Sequence, residues 1–170
     1  MDTVQELRGI LAKPICFAEI GEFNSLSLGF GSIKSYSERT KAPIADIEFV
    51  TYHRSWRVIY KNKILISGLN LSGELKIQKK IETLVAAEFV SLRSFTPFDL
   101  EIEADSGFVI QLIALPNGID KELAHVVSRS KDIVTTFYPG KGWKTGPYSS
   151  KQTTQNSLKC RFVKDISVPQ

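Results

Sequence analysis

Apolar positions along this chain fall mostly into short alternating runs, which is the signature of strands with one buried face. Ile15 to Ile20 is one such run, and Ser25 to Phe30 sets Leu26, Leu28 and Phe30 against small residues. Residues 31–43 are polar and contain a proline, so a long loop is expected there. Ile44 to Tyr52 returns to alternation, with Ile47, Phe49 and Thr51 on one face. Trp56–Tyr60 and Ile64–Ser67 flank Lys61-Asn62-Lys63 and predict a hairpin, because Asn62 tolerates the left-handed backbone of a tight turn. Further strands are expected at Phe89–Phe95, Asp99–Glu103 and Phe108–Leu115, with Asp105-Ser106-Gly107 turning between the last two. A turn is expected at Pro116-Asn117-Gly118. A last hairpin is expected over 124–129 and 132–138, and polar loop after Gly140.

Two segments carry the helical period instead. Thr3 and Glu6 fit a capping box, and Val4, Leu7, Ile10 and Leu11 recur at helical spacing until Pro14 ends the run. A helix is expected over residues 3–12. Ser72 caps a second one over 73–86, with Ile77, Ile81, Leu84 and Val85 as its apolar face and Lys76, Lys79 and Lys80 facing water.

The expected fold is therefore α+β and mostly antiparallel, with about ten strands, an N-terminal helix and a central helix. The order of elements repeats in plan between residues 3–68 and 73–140, Trp56–Ser67 corresponding to His125–Tyr138. This fits an internal duplication about a pseudo-twofold axis, the alternative being a single meandering sheet without duplication. Residues 1–140 read as one domain and 141–170 as a basic C-terminal extension.

Composition changes this picture little. A chain of 170 residues, 42% hydrophobic and 24% charged, is long enough for one full core. Its net charge of +4 permits an acidic partner or nucleic acid and requires neither. Cys16 and Cys160 lie far apart, and the polar start Met1-Asp2-Thr3-Val4-Gln5-Glu6 does not read as a signal peptide. No apolar run reaches the roughly 18–20 residues of a membrane span. The expected compartment is the cytoplasm.

Candidate chemistry is sparse. His53 and His125 are the only histidines, and neither has an acid and a nucleophile at recognisable spacing. A Cys–His pair such as Cys16 with His53 stays open, because catalytic partners need not be close in sequence. Glu101, Glu103 and Asp105 alternate along one strand, as a cation site or, more ordinarily, as a solvated strand face. Gly29-Phe30-Gly31-Ser32 and Gly140-Lys141-Gly142 have the glycines of a phosphate loop without the helix that must follow, so both read as turns. No catalytic, cofactor-binding or metal-ligating residue is expected. Lys141, Lys144, Lys151, Lys159, Arg161 and Lys164 interleave with Trp143, Tyr148 and Phe162, a mixture that suits single-stranded nucleic acid or a docked tail. Leu158–Val168 could add an edge strand.

The stretch Ser55–Gly68 resembles a motif of a loose group of small uncharacterised bacterial β-rich proteins. In that group a Trp-Arg strand runs into a polar turn, a short apolar strand and a Ser/Gly end. Ile15–Phe30 would be its preceding hairpin and Leu100–Leu115 its later strand pair, and Lys stands where Gly is usual at the hairpin turn. Some members look like immunity proteins, which neutralise a toxin by binding it. The resemblance implies a folding motif and transfers no functional residue. The expected function is a non-enzymatic protein-binding module whose partner is another protein, with an immunity protein and its toxin as the specific form. The expected contacts are Tyr52, His53, Arg54, Lys141, Trp143 and Lys144. The alternatives are a nucleic-acid binder using residues 141–170 and an enzyme with a dispersed site near His53.

Overall fold

The computed structural model describes residues 7–9, 11–52, 54–69, 74–114 and 121–149. Eleven strands among them form two antiparallel sheets. The first contains β1 (Ile15–Ile20), β2 (Leu26–Tyr36), β3 (Pro43–Thr51), β9 (Ala124–Ser128), β10 (Ile133–Tyr138) and β11 (Gly142–Pro147), in that spatial order. The second has the order β5 (Lys63–Ser67), β4 (Trp56–Tyr60), β8 (Phe108–Leu112), β7 (Leu100–Ala104) and β6 (Phe89–Ser94). One helix, α1 (Glu74–Glu82), links β5 to β6. Leu7, Arg8, Gly9 and Leu11 are also helical, in the region where the N-terminal helix is expected.

Alternation explains how the sheets meet. Leu28, Phe30, Phe49 and Phe137 of the first sheet and Trp56, Val58, Ile102 and Ile110 of the second belong to one buried cluster. Phe89 is the aromatic joint between them. Its ring lies 4.9 Å from Phe30 and 6.4 Å from Phe49, both edge-on, an arrangement aromatic quadrupoles favour. Helix α1 buries Ile77 and Ile81, with Leu84 just beyond its end. It also guards two open strand edges: Gln78 Nε2 donates to the Ala18 carbonyl of β1, and Lys80 Nζ to the Leu65 carbonyl of β5. Toward the other end of both sheets, the Gly140 amide donates to the Pro97 carbonyl and ties the β10–β11 turn to the β6–β7 loop.

The expected hairpins form. Lys61 and Asn62 both take left-handed φ, 49° and 59°, as a two-residue hairpin turn requires. Gly107, at φ 79°, closes the β7–β8 turn. The expectations for four other segments are corrected. Residues 31–36 and 43 are strand, not loop, because β2 keeps pairing with β3 as far as Tyr36 and Pro43. Two irregularities in register, between Phe30 and Ile33 and between Ile33 and Ser35, break the alternation that would have revealed the strand. Residues 142–147 are strand β11, paired along the whole of β10, so the boundary expected at residue 140 falls inside a hairpin. The central helix ends at Glu82; residues 83–86 are turn, Ala86 is left-handed at φ 74°, and Val85 is exposed. Strand β8 ends at Leu112. The expected Ser72 cap and the turn at 116–118 lie outside the described residues.

The outer face of the second sheet is a hydrogen-bonded ladder. Arg57, Gln111, Glu101 and Arg93 sit opposite one another on four adjacent strands. Arg57 Nε donates to Gln111 Oε1 at 2.7 Å, Gln111 Nε2 to Glu101 Oε2 at 2.6 Å, and Arg93 Nε to Glu101 Oε1 at 2.9 Å. The donated bonds from Gln111 and Arg93 hold the Glu101 carboxyl below its ordinary range. A carboxyl whose folded-state pKa is lowered stabilises the fold above its ordinary titration range. That contribution is lost as pH falls through the lowered value. Glu101→Gln is expected to cost about 1–3 kcal/mol at neutral pH and to flatten the acid side of the stability curve. Denaturant midpoints measured from neutral pH downward check this.

Candidate interaction surface

A large apolar residue in a turn usually tucks its ring away. Phe23 does the opposite and is 84% exposed. It sits in the tight turn Glu22–Asn24 between β1 and β2, with φ 57° and ψ 26°, and Asn24 follows at φ 59°. Asparagine tolerates that region, whereas for phenylalanine it costs on the order of 1 kcal/mol. The surroundings hold the turn in place. The Gly21 amide donates to the Ser25 carbonyl at 2.9 Å, closing it. Trp56 Nε1 donates to the Asn24 carbonyl at 2.7 Å, and Asn24 Nδ2 reaches the Gly68 carbonyl at 3.5 Å. Trp56 is only 1% exposed, so its indole anchors the core and the turn together.

The neighbouring wall is built from the end of β3. The Leu26 amide donates to Thr51 Oγ1 at 2.8 Å, which fixes the exit of β3 against the entry of β2. Tyr52 follows, half-buried, with its ring 4.8 Å from that of His125. Burial pushes the Tyr52 phenol well above its ordinary pKa, and the neighbouring Glu122 carboxylate adds to the shift, so the group stays neutral. Arg54 is exposed. Phe23, Asn24, Tyr52 and Arg54 together line a cleft of about 460 Å³.

Gly68 closes the back of this region. A Cβ there would lie 2.4 Å from the Arg54 carbonyl oxygen and 2.7 Å from Trp56 Nε1. Gly68→Ala is therefore expected to destabilise the protein by about 1–3 kcal/mol. Calorimetry of the variant, with spectra of the Arg54 and Trp56 amides, tests it.

Of the six residues expected to bind a partner, the structure brings some together and separates others. Tyr52 and Arg54 line the cleft, and His53 lies outside the described residues. Val50, His125, Thr136 and Lys144 are consecutive register partners across β3, β9, β10 and β11. Cross-strand partners share a face, so Lys144 stands on the same face as His125, three strand spacings or about 14 Å from β3. Lys144 Nζ lies 5.5 Å from the Tyr138 ring. Trp143 points the other way, its ring 5.2 Å from Phe137 and packed on the core. Lys141 is exposed in the β10–β11 turn, beside the loop that exposes Phe95 and Phe98.

Sequence reasoning missed Phe23. The available signal was a phenylalanine flanked by Glu22 and Asn24 between Gly21 and Ser25, an apolar ring inside a polar turn.

The other candidate chemistries take structural roles. Burial pushes the partly exposed Cys16 thiol above its ordinary pKa, and the Glu48 carboxylate adds to this, which disfavours the nucleophilic thiolate. Its proposed partner His53 is outside the described residues. Glu101 belongs to the ladder, Glu103 accepts from Ser91 Oγ at 3.0 Å, and Asp105 Oδ1 accepts from the Glu88 amide at 2.9 Å. No group of three or more potential metal ligands occurs among the described residues. Gly29 is the floor beneath the Phe17 ring, where a Cβ would come within 2.1 Å of a ring carbon. Among the described residues, no helix is long and apolar enough to cross a membrane. Compared with known proteins, the chain matches no family model, no curated protein and no solved structure.

Proposed function

We propose that this protein is a non-enzymatic protein-binding module, and that the surface around Phe23, Tyr52 and Arg54 is its contact site. The observation that carries this reading is Phe23, an aromatic ring held out in water by a strained, internally braced turn. Exposing it gains nothing for folding, whereas aromatic and arginine side chains around a cleft are what anchors of protein interfaces are made of. The exposed Arg54 adds positive charge at the site and favours an acidic partner surface. The immunity-protein form of the reading names that partner as a toxin and draws its support from the sequence resemblance. The nucleic-acid reading gains less from the geometry, since the Trp143 ring packs on the core and is not a stacking platform. The duplication of 3–68 and 73–140 rests on element order. The two hairpins it equates occupy an edge of one sheet and the interior of the other.

The test places a photoreactive benzophenone side chain at position 23 of the full chain, with position 93 on the outer face of the second sheet as control. After irradiation in host lysate, one protein crosslinked in stoichiometric yield through position 23 alone is the expected result. A toxin at that position establishes the immunity role. Equal or absent crosslinking at both positions removes the reading.

A further inference from the structure

A second cleft, of about 670 Å³, lies between the tip of the β2–β3 hairpin and the end of β1, and shares no lining residue with the Phe23 cleft. Its existence follows from the register of that hairpin. The two irregularities in β2, with Gly31 at φ 85° between Phe30 and Ile33, bend the ribbon, and its tip comes to lie across from Glu19, Ile20 and Gly21. The tip is rigid. The Ser37 amide donates to the Ala42 carbonyl and the Lys41 amide to the Ser37 carbonyl, at 2.8 and 2.9 Å. Ser37 Oγ accepts from the Thr40 amide, and Thr40 Oγ1 from the Ala42 amide. Arg39 and Lys41 line the cleft from this hydrogen-bonded loop.

Opposite charges face one another here without meeting. Arg39 and Lys41 line one side and Glu19 the other, yet no ion pair within 4.0 Å joins them among the described residues. Glu19 is partly buried on the face it shares with Glu48, and both its burial and the Glu48 charge raise its pKa. Gln78 also lines the cleft, and its amide nitrogen is held by Ala18 and Glu82, which leaves its side-chain carbonyl to accept. Ile20 and Ala42 supply apolar surface.

We propose that this cleft binds a small zwitterion of the amino-acid class. Its carboxylate would sit on Arg39 and Lys41, its ammonium on Glu19 and the Gln78 carbonyl oxygen, and its carbon skeleton on Ile20 and Ala42. A guanidinium is a planar match for a carboxylate. An ammonium is the group that restores a partner to a half-buried carboxylate. The volume is within the range of about 300–1,000 Å³ typical of small-ligand sites.

Amide correlation spectra of the isotopically labelled full chain provide the test, at constant pH, with the free amino acids added singly at millimolar concentration. Acetate and methylammonium, which carry one pole each, serve as controls. The expected result is saturable shifts at residues 19–21 and 37–42 for at least one amino acid, with far weaker shifts from either control. Glu19→Gln and Arg39→Ala, both replacing partly or fully exposed side chains, should each weaken that binding about tenfold or more at unchanged melting temperature. Acetate acting as well as the amino acid, with Glu19→Gln without effect, would make this a simple anion site and overturn the proposal. So would the lack of any shift with all the amino acids, or shifts confined to other parts of the chain.

Discussion

Replacing Trp56 by alanine is expected to lower the free energy of unfolding by about 3–5 kcal/mol, the cost of removing a fully buried aromatic from a close-packed core. Against a typical total of about 5–15 kcal/mol that is a large share, and the melting temperature should fall on the order of 10 °C. The indole does two things that separate in a second variant. Its rings pack in the cluster shared by the two sheets, while Nε1 holds the Asn24 carbonyl at 2.7 Å. Trp56→Phe keeps most of the apolar volume and removes the bond, with a smaller loss of packing than in the alanine variant. It should cost about 1–2 kcal/mol and loosen the Glu22–Asn24 turn, visible as faster amide exchange at residues 23–25. Equal losses for the two variants would mean that the hydrogen bond, not packing, dominates at this position.

Replacing Phe23 by glycine is expected to separate stability from binding. Glycine adopts φ 57° without steric cost, so the melting temperature should hold or rise, with a gain of up to about 1 kcal/mol. Partner affinity should fall by about 2 kcal/mol, roughly 30-fold, as for an interface anchor. Calorimetric titration of the purified partner, with thermal melts of both forms, reads the two effects independently. An unchanged affinity would remove Phe23 from the interface. A large drop in melting temperature would show that the ring supports the fold after all. Arg54→Glu, at an exposed position, should weaken the same complex and lessen its dependence on salt if the partner surface is acidic.

Most strands were legible in the sequence because their chemistry is local. Ile15–Ile20, Trp56–Tyr60 and Ile133–Tyr138 are strands in the structure within a residue or so of expectation. The Lys61-Asn62 turn followed from the backbone tolerance of one asparagine. The helix face through Ile77, Ile81 and Leu84 followed from its period and is buried. The sequence also placed Tyr52 and Arg54 together, being two positions apart, and they line one cleft.

What the sequence did not show depends on partners distant along the chain. The outer half of β2 and the whole of β11 are strands through pairing with β3 and β10. In the exposed ribbon 31–36 neither face is fully buried, so no alternation records the pairing. Lys144 joins the face of His125 through register alone, and Trp143 leaves it because adjacent strand residues point oppositely. The exposure of Phe23 is decided by Trp56, more than 30 positions away, whose indole fixes the turn that holds the ring in water. Local patterning by itself determined which segments are strands and which residues turn. Tertiary structure alone decided which side chains share a surface, because a surface is assembled from register and packing between segments that carry no local mark of one another.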